Sequence, residues 1–221
     1  MTAREEHITV AKTARYYVLG EPGPGTRELW LCCHGYGQLA SRFIQHFAPI
    51  ASEQRVIVAA EALHRFYLDP PDRPAPERRV GATWMTREDR AADMADYVRY
   101  LDTLVADLLR TVPGNAQLLA LGFSQGTATV TRWAAATERQ IARLILWGSG
   151  LPPDLDWSAV GAGLRRARVT LVAGAADAQM PSLRWAEQEK LLTSQKIAFE
   201  RIDFDGGHHL DAATLLRLTV G

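Results

Sequence analysis

The chain has only two cysteines among 221 residues, and they are adjacent, Cys32 and Cys33. Neighbouring positions on a strand face opposite sides, so the two thiols cannot bridge each other and a disulfide framework is excluded. A metal site of the zinc type is excluded on the same count: there is no second cysteine pair, and apart from His208 and His209 the six histidines are scattered. Net charge is absent too, since 25 Lys+Arg balance 25 Asp+Glu and leave no electrostatic footprint for nucleic acid or an anionic membrane. No apolar run approaches the length of a membrane span, and residues 1–7 carry charges of both signs with no apolar stretch behind them. These absences point to a cytoplasmic protein with no nucleic-acid partner and no stable membrane insertion.

What is present is apolar residue in quantity. Hydrophobic residues make up 47% of the chain, enough for one substantial core, so a single domain over residues 1–221 is expected. Strand-like apolar runs alternate with amphipathic stretches: Glu28–Cys33 then 41–52, Arg55–Ala60 then 87–110, 117–121 then 125–137. The alternation continues with Arg143–Trp147, then 168–173 before Ser182–Ser194, then 197–204 before 212–218. Such a pattern predicts a mostly parallel central sheet with helices on both faces and no large cap domain. Two earlier runs, 7–11 and 14–19, read as an antiparallel ribbon on the sheet edge. The longest helix carries Met94, Tyr97, Val98, Leu101, Leu104, Val105 and Leu108 at three- and four-residue spacing, the stripe of a crossover helix packed on the sheet.

Two segments are irregular. Residues 69–79 are rich in proline and charge, with Pro70, Pro71, Pro74 and Pro76, and read as a surface loop able to flap over a site. Residues 148–163 follow a strand and would line the crevice at the sheet's C-terminal edge.

Gly122-Phe123-Ser124-Gln125-Gly126 lies between an apolar strand and a helix of small residues. A serine on such a turn is the nucleophile elbow of an α/β-hydrolase: the glycines allow close approach, and the following helix aims its free N–H groups at a developing oxyanion. A serine nucleophile needs a base, and the base needs an acceptor that fixes its tautomer. Asp177 lies in the loop after strand 168–173, and His208 leaves the strand after it, in the chain order Ser, Asp, His that this fold uses. His208 is preferred to His209 because Gly206 and Gly207 precede it and permit a tight approach to the elbow. Asp203, Asp205 and Asp211 lie too close in sequence to reach around the ring. The oxyanion donors are assigned to the backbone N–H groups of Gln125 and of Tyr36, the latter within His34-Gly35-Tyr36-Gly37-Gln38. His34 is expected to hydrogen-bond loop backbone.

These residues resemble the phospholipase/carboxylesterase family of α/β-hydrolases, which includes small bacterial carboxylesterases and acyl-protein thioesterases. The resemblance rests on residues 34–37, 122–126, 174–181 with Asp177, and 204–208, and so spans most of the chain. It implies Ser124 as nucleophile, His208 as base, Asp177 as orienter, no metal or organic cofactor, and a small-molecule acyl ester or thioester as substrate. Gln38 stands where an acidic residue is common. Phe66, Tyr67, Trp84, Met85 and Leu151 are the candidate walls of an acyl pocket. The expected activity is hydrolysis of small to medium acyl esters. The alternatives are a lysophospholipase or acyl-protein thioesterase, which needs a longer apolar groove, and a hydrolase-fold binding protein without turnover.

Overall fold

A computed structural model describes residues 2–160 and 162–219. In chain order the elements are β1 (Tyr16–Leu19), β2 (Glu28–Cys33), α1 (Ala40–Phe43) with a 3-10 helix (Ile44–Ile50), β3 (Arg55–Ala60), β4 (His64–Tyr67) and β5 (Val80–Thr83). They continue with α2 (Arg90–Leu109), β6 (Gln117–Phe123), α3 (Gln125–Ala136), β7 (Arg143–Trp147), α4 (Ala162–Arg166), β8 (Arg168–Gly174), α5 (Ser182–Ser194), β9 (Phe199–Phe204) and α6 (Ala212–Arg217).

The main sheet has seven strands in the order β1-β3-β2-β6-β7-β8-β9. Every pairing is parallel except that of β1 with β3. Strands β2, β3, β6, β7 and β8 are buried along nearly their whole length, as apolar runs covered on both faces must be. One face carries the core around Leu101 of α2, Val130 and Trp133 of α3, Leu164 of α4 and Leu192 of α5; the other packs Phe43, Phe47, Ile50, Leu215 and Leu218. Cys33 belongs to the first core and Cys32 to the second, so the two thiols do point to opposite faces. Among the described residues no helix is long and apolar enough to cross a membrane.

The strand order places the crevice. From β2 the chain moves to β3 on one side, and the next parallel neighbour, β6, lies on the other, which makes the C-terminal ends of β2 and β6 the topological switch point. Those ends are level: Cys33 is opposite Gly122 in the register. The loop after β2 and the turn after β6 therefore emerge side by side.

Two expectations are corrected, and one element is added. Residues 41–52 are not one α-helix but α1 followed by the 3-10 turn, in which Pro49 cannot supply an α-helical N–H and the buried Ile44, Phe47 and Ile50 recur every three residues. Residues 7–11 form no strand; Ile8 and Val10 find nothing to cover and are 86% and 73% exposed, so only β1 adds an antiparallel edge strand. Residues 64–83 form a hairpin, β4 and β5, that the proline-rich connection conceals in the sequence. The base of that connection is closed by Asp69, which accepts from the Arg79 backbone N–H at 2.6 Å and from its guanidinium at 2.8 Å.

The loop after β7 is tied down by Asp154, which accepts from Arg90 at 2.7 Å and from Arg132 at 2.6 Å. Burial opposes ionisation of Asp154, but the two arginines outweigh it and hold the carboxyl at about 2. A folded-state value below the unfolded one makes this tie fully present above pH ~4 and progressively lost as pH falls toward 2. Asp154→Asn should lower Tm at pH 7, and the gap to wild type in thermal melts should close as the pH is lowered across that window.

Candidate functional site

Ser124 stands between β6 and α3 with φ 53° and ψ −117°, a strained backbone costing about 1–3 kcal/mol that its surroundings must enforce. The enforcement is steric and local. A β-carbon on Gly126 would overlap the carbonyl oxygen of Cys33, and one on Gly122 would overlap the Gly126 carbonyl, so the turn closes only with glycine at both places. The Ser124 N–H donates to the Trp147 carbonyl at 2.9 Å, and Thr127 Oγ1 donates to the Ser124 carbonyl at 2.7 Å.

Asp177 and His208 come from neighbouring strand ends. Ala175 N–H donates to Phe204 O and Ala176 N–H to Gly206 O, each at 2.9 Å, which zips the loop after β8 to the loop after β9. The result is a 2.7 Å hydrogen bond between His208 Nδ1 and Asp177 Oδ2. A carboxylate only accepts, so Nδ1 carries a proton, and in the neutral ring Nε2 presents a lone pair. The Asp177 side chain is 1% exposed, and its Oδ1 is also used, accepting from the Gln179 N–H at 2.8 Å. His208 is 19% exposed and stacks on Phe123, the residue before Ser124, with ring centroids 4.9 Å apart. It also lies over Gly148, whose φ is +69° and where a β-carbon would come within 3.1 Å of the ring. The structure thus gathers Ser124, His208 and Asp177 at one sheet edge, without a hydrogen bond between Ser124 Oγ and His208 Nε2.

His209 is turned elsewhere: its ring meets Phe204 edge-on and its carbonyl accepts from the Trp147 indole at 2.9 Å. Two of the rival acids have other partners, Asp203 with Arg201 and Asp211 with the Thr214 N–H at the start of α6.

The loop after β2 arches over the elbow. Gly35 packs against Ser124, a β-carbon at 35 lying 3.2 Å from Ser124 Cβ. Gln38 holds the loop tight: its Oε1 accepts from the Gly35 N–H at 2.8 Å while its N–H donates to Gly35 O at 3.2 Å. A neutral amide here supplies the acceptor without placing a negative charge beside the loop. Among the described residues the N–H groups of Tyr36 and Gln125 have no acceptor. Both are free donors near Ser124, and Gln125 opens α3, where the helix dipole favours negative charge.

His34 is fully buried beneath this loop. Its Nε2 accepts from the Ala62 N–H at 3.1 Å, which leaves Nδ1 to donate to Gly35 O at 2.8 Å. Burial pushes its pKa down, so the ring is neutral and both nitrogens are committed to backbone.

The candidate pocket walls divide. Phe66 is half-buried and stacks on Tyr36 at 5.2 Å, Tyr67 is half-exposed beneath the Arg78 guanidinium, and Met85 is half-buried. Trp84 and Leu151 are corrections: at 1% and 5% exposure they are packed into the core and offer little surface to a ligand. Sequence reading missed what Trp84 does instead, which is to donate its indole N–H to His34 O at 2.8 Å, and missed the Gln125 side chain, which reaches Thr83 and Met85. A set of three metal-ligating side chains does occur among the described residues, Glu5, His7 and Asp89, all exposed and none of this site.

No family model and no curated protein sequence matches the chain. Solved structures of the same fold do. A phospholipase/carboxylesterase from Dyadobacter fermentans is similar with a TM-score of 0.67 at 16% identity, covering 95% of this chain and 96% of that one. Zea mays acyl-protein thioesterase 2 gives 0.65 at 17% identity, with 94% and 98% covered. The Bacillus cereus carboxylesterase gives 0.68 at 13% identity, with 93% and 91% covered. At such identities the likeness is one of fold: the chain has the α/β-hydrolase architecture.

The Nδ1 proton of His208 should be seen as a downfield resonance in proton NMR spectra in water, and Asp177→Ala should abolish it. Its persistence in that variant would show that another acceptor holds the ring.

Proposed function

We propose that the protein is a serine carboxylesterase that hydrolyses small to medium acyl esters, with its machinery in a single domain. Ser124 is the nucleophile, His208 the general base, Asp177 its orienting partner, and the Tyr36 and Gln125 N–H groups the oxyanion hole. The observation that carries this reading is the 2.7 Å bond between His208 and a buried Asp177, with the His208 ring against Phe123, the residue that precedes the strained Ser124.

Each step follows from those groups. The Ser124 oxygen bonds to the ester carbonyl carbon as its proton passes to His208 Nε2, and the carbonyl electron pair moves onto oxygen, facing the two donors. The tetrahedral species collapses, the carbon–oxygen bond to the alcohol breaks, and His208 returns its proton to the departing alkoxide. Water then attacks the acyl-serine with His208 again taking the proton, and the acid leaves with Ser124 restored. Asp177 stays ionised throughout and stabilises the imidazolium. Such contacts commonly tighten only once substrate is bound, which is in keeping with a serine not yet bonded to Nε2.

Packing of Trp84 and Leu151 into the core supports the shorter acyl groups, because it reduces the apolar surface available to a long chain. Hydrolysis of longer acyl chains, as by a lysophospholipase or acyl-protein thioesterase with a longer apolar groove, is the second reading, favoured by the shared fold with an acyl-protein thioesterase. Rates on p-nitrophenyl esters of graded length separate the two, and an optimum at long chains would overturn the first.

A fluorophosphonate probe should label Ser124 in the folded protein, and absence of an adduct would sink the hydrolase reading. Ser124→Ala and His208→Ala should each remove nearly all esterase activity, and Asp177→Asn should cost about 10⁴ in kcat, whereas His209→Ala should keep most of it. Gly148→Ala should fold yet lose most of its kcat, since the added methyl displaces the His208 ring; steady-state kinetics beside a thermal melt would check both parts.

A further inference from the structure

The two N–H groups assigned to the oxyanion hole belong to elements far apart in sequence, and both must lie about 2.7–3.1 Å from one point to act together. Residues 82–85, running out of β5, touch both elements. On the side of the β2 loop, Gly37 N–H donates to Ala82 O at 2.9 Å, Ala82 N–H donates to Gln38 O at 3.2 Å, and the Trp84 indole donates to His34 O at 2.8 Å. On the side of the elbow, the Gln125 amide is the contact. Its Nε2 donates to Thr83 Oγ1 at 2.9 Å and to Met85 O at 3.1 Å, and its Oε1 accepts from the Trp84 N–H at 3.2 Å. The Thr83 hydroxyl has a single proton; having accepted from Gln125 it donates to Met85 O at 2.9 Å, which leaves every partner satisfied. Thr83 is 4% exposed and Trp84 1%, so the network is sheltered from competing water.

We propose that the Gln125 side chain, Thr83 and Trp84 form a brace that sets the spacing of the two oxyanion donors, and that all three side chains are positioning residues for the acyl-transfer step. The brace rests on the hydrolase reading above. None of these side chains meets the substrate; they act by keeping the Tyr36 N–H and the Gln125 N–H converged on the same oxygen. Because the oxyanion is fully developed only in the transition state, a slack brace weakens transition-state binding and leaves ground-state binding alone.

The test compares Gln125→Ala, Trp84→Phe and the pair Thr83→Val and Thr83→Ser, with kcat expressed per site titrated by a fluorophosphonate, so that misfolded protein does not count. Affinity for an alkylboronic acid, whose serine adduct is tetrahedral and anionic, is measured alongside. Gln125→Ala, Trp84→Phe and Thr83→Val should each lower kcat per titrated site about 10- to 100-fold with KM within about twofold, and weaken the boronic acid by a similar factor. Thr83→Ser, which keeps the hydroxyl, should restore both to within a few-fold of wild type. A labelled, active wild type whose Gln125→Ala and Thr83→Val variants keep full kcat per site overturns the brace alone, as does a fall in kcat with unchanged boronic acid affinity. A wild type that neither labels nor turns over ester overturns the hydrolase reading and the brace with it.

Discussion

The site depends on how closely two stretches of main chain pass each other. At the ends of β2 and β6 the Cys33 carbonyl lies where any side chain on Gly126 would have to be, and the two strands finish level in the register. That contact lets Gly35 rest on Ser124 and brings the loop after β2 over the mouth of a helix. A single methyl group at position 126 would push the serine away from the loop above it. The arrangement needs no special fold beyond a parallel sheet whose strand order reverses at β2, since that reversal opens a crevice and level strand ends fill it from both sides.

Electrostatics then divides the histidines. His34 and His208 carry the same ring within one small region, but His34 is sealed off and spends both nitrogens on backbone groups, so it is confined to the neutral state. His208 meets a buried carboxylate at one nitrogen and leaves the other without a partner among the described residues. What separates the two rings is the identity of the acceptor, a carbonyl in one case and a carboxylate in the other. Asp154, between two arginines, shows the same rule in reverse: its charge is stabilised in order to fasten a loop.

The parallel strands and the residues that end them were legible because they are local signals: unbroken apolar runs, then Gly-rich turns. Ser124, Asp177 and His208 could be found one loop at a time, and strand order brought them together. What was not legible depended on pairing across distance. The β4–β5 hairpin is two four-residue strands separated by a charged, proline-rich connection, with no periodicity long enough to stand out. Trp84 and Leu151 read as pocket walls because an aromatic or aliphatic residue near a loop gives no sign of which way it faces, and both turned inward. The 41–52 stretch had helical composition, but Pro49 shifted it to a tighter helix. The Gln125 amide was hidden for a different reason: its partners lie about forty residues upstream, beyond the reach of any spacing argument.

The position of β9 carries one more consequence. His208 lies in the loop that leaves the last strand of the sheet, whose outer edge pairs with no other strand among the described residues and whose own residues are largely half-buried or exposed. Edge elements open at lower free energy than the buried centre of a sheet, where β2 and β6 lie. Ser124 therefore hangs on the most persistent part of the molecule and His208 on one of its margins, so fraying at that margin would carry His208 and Asp177 away from a serine that was still correctly folded.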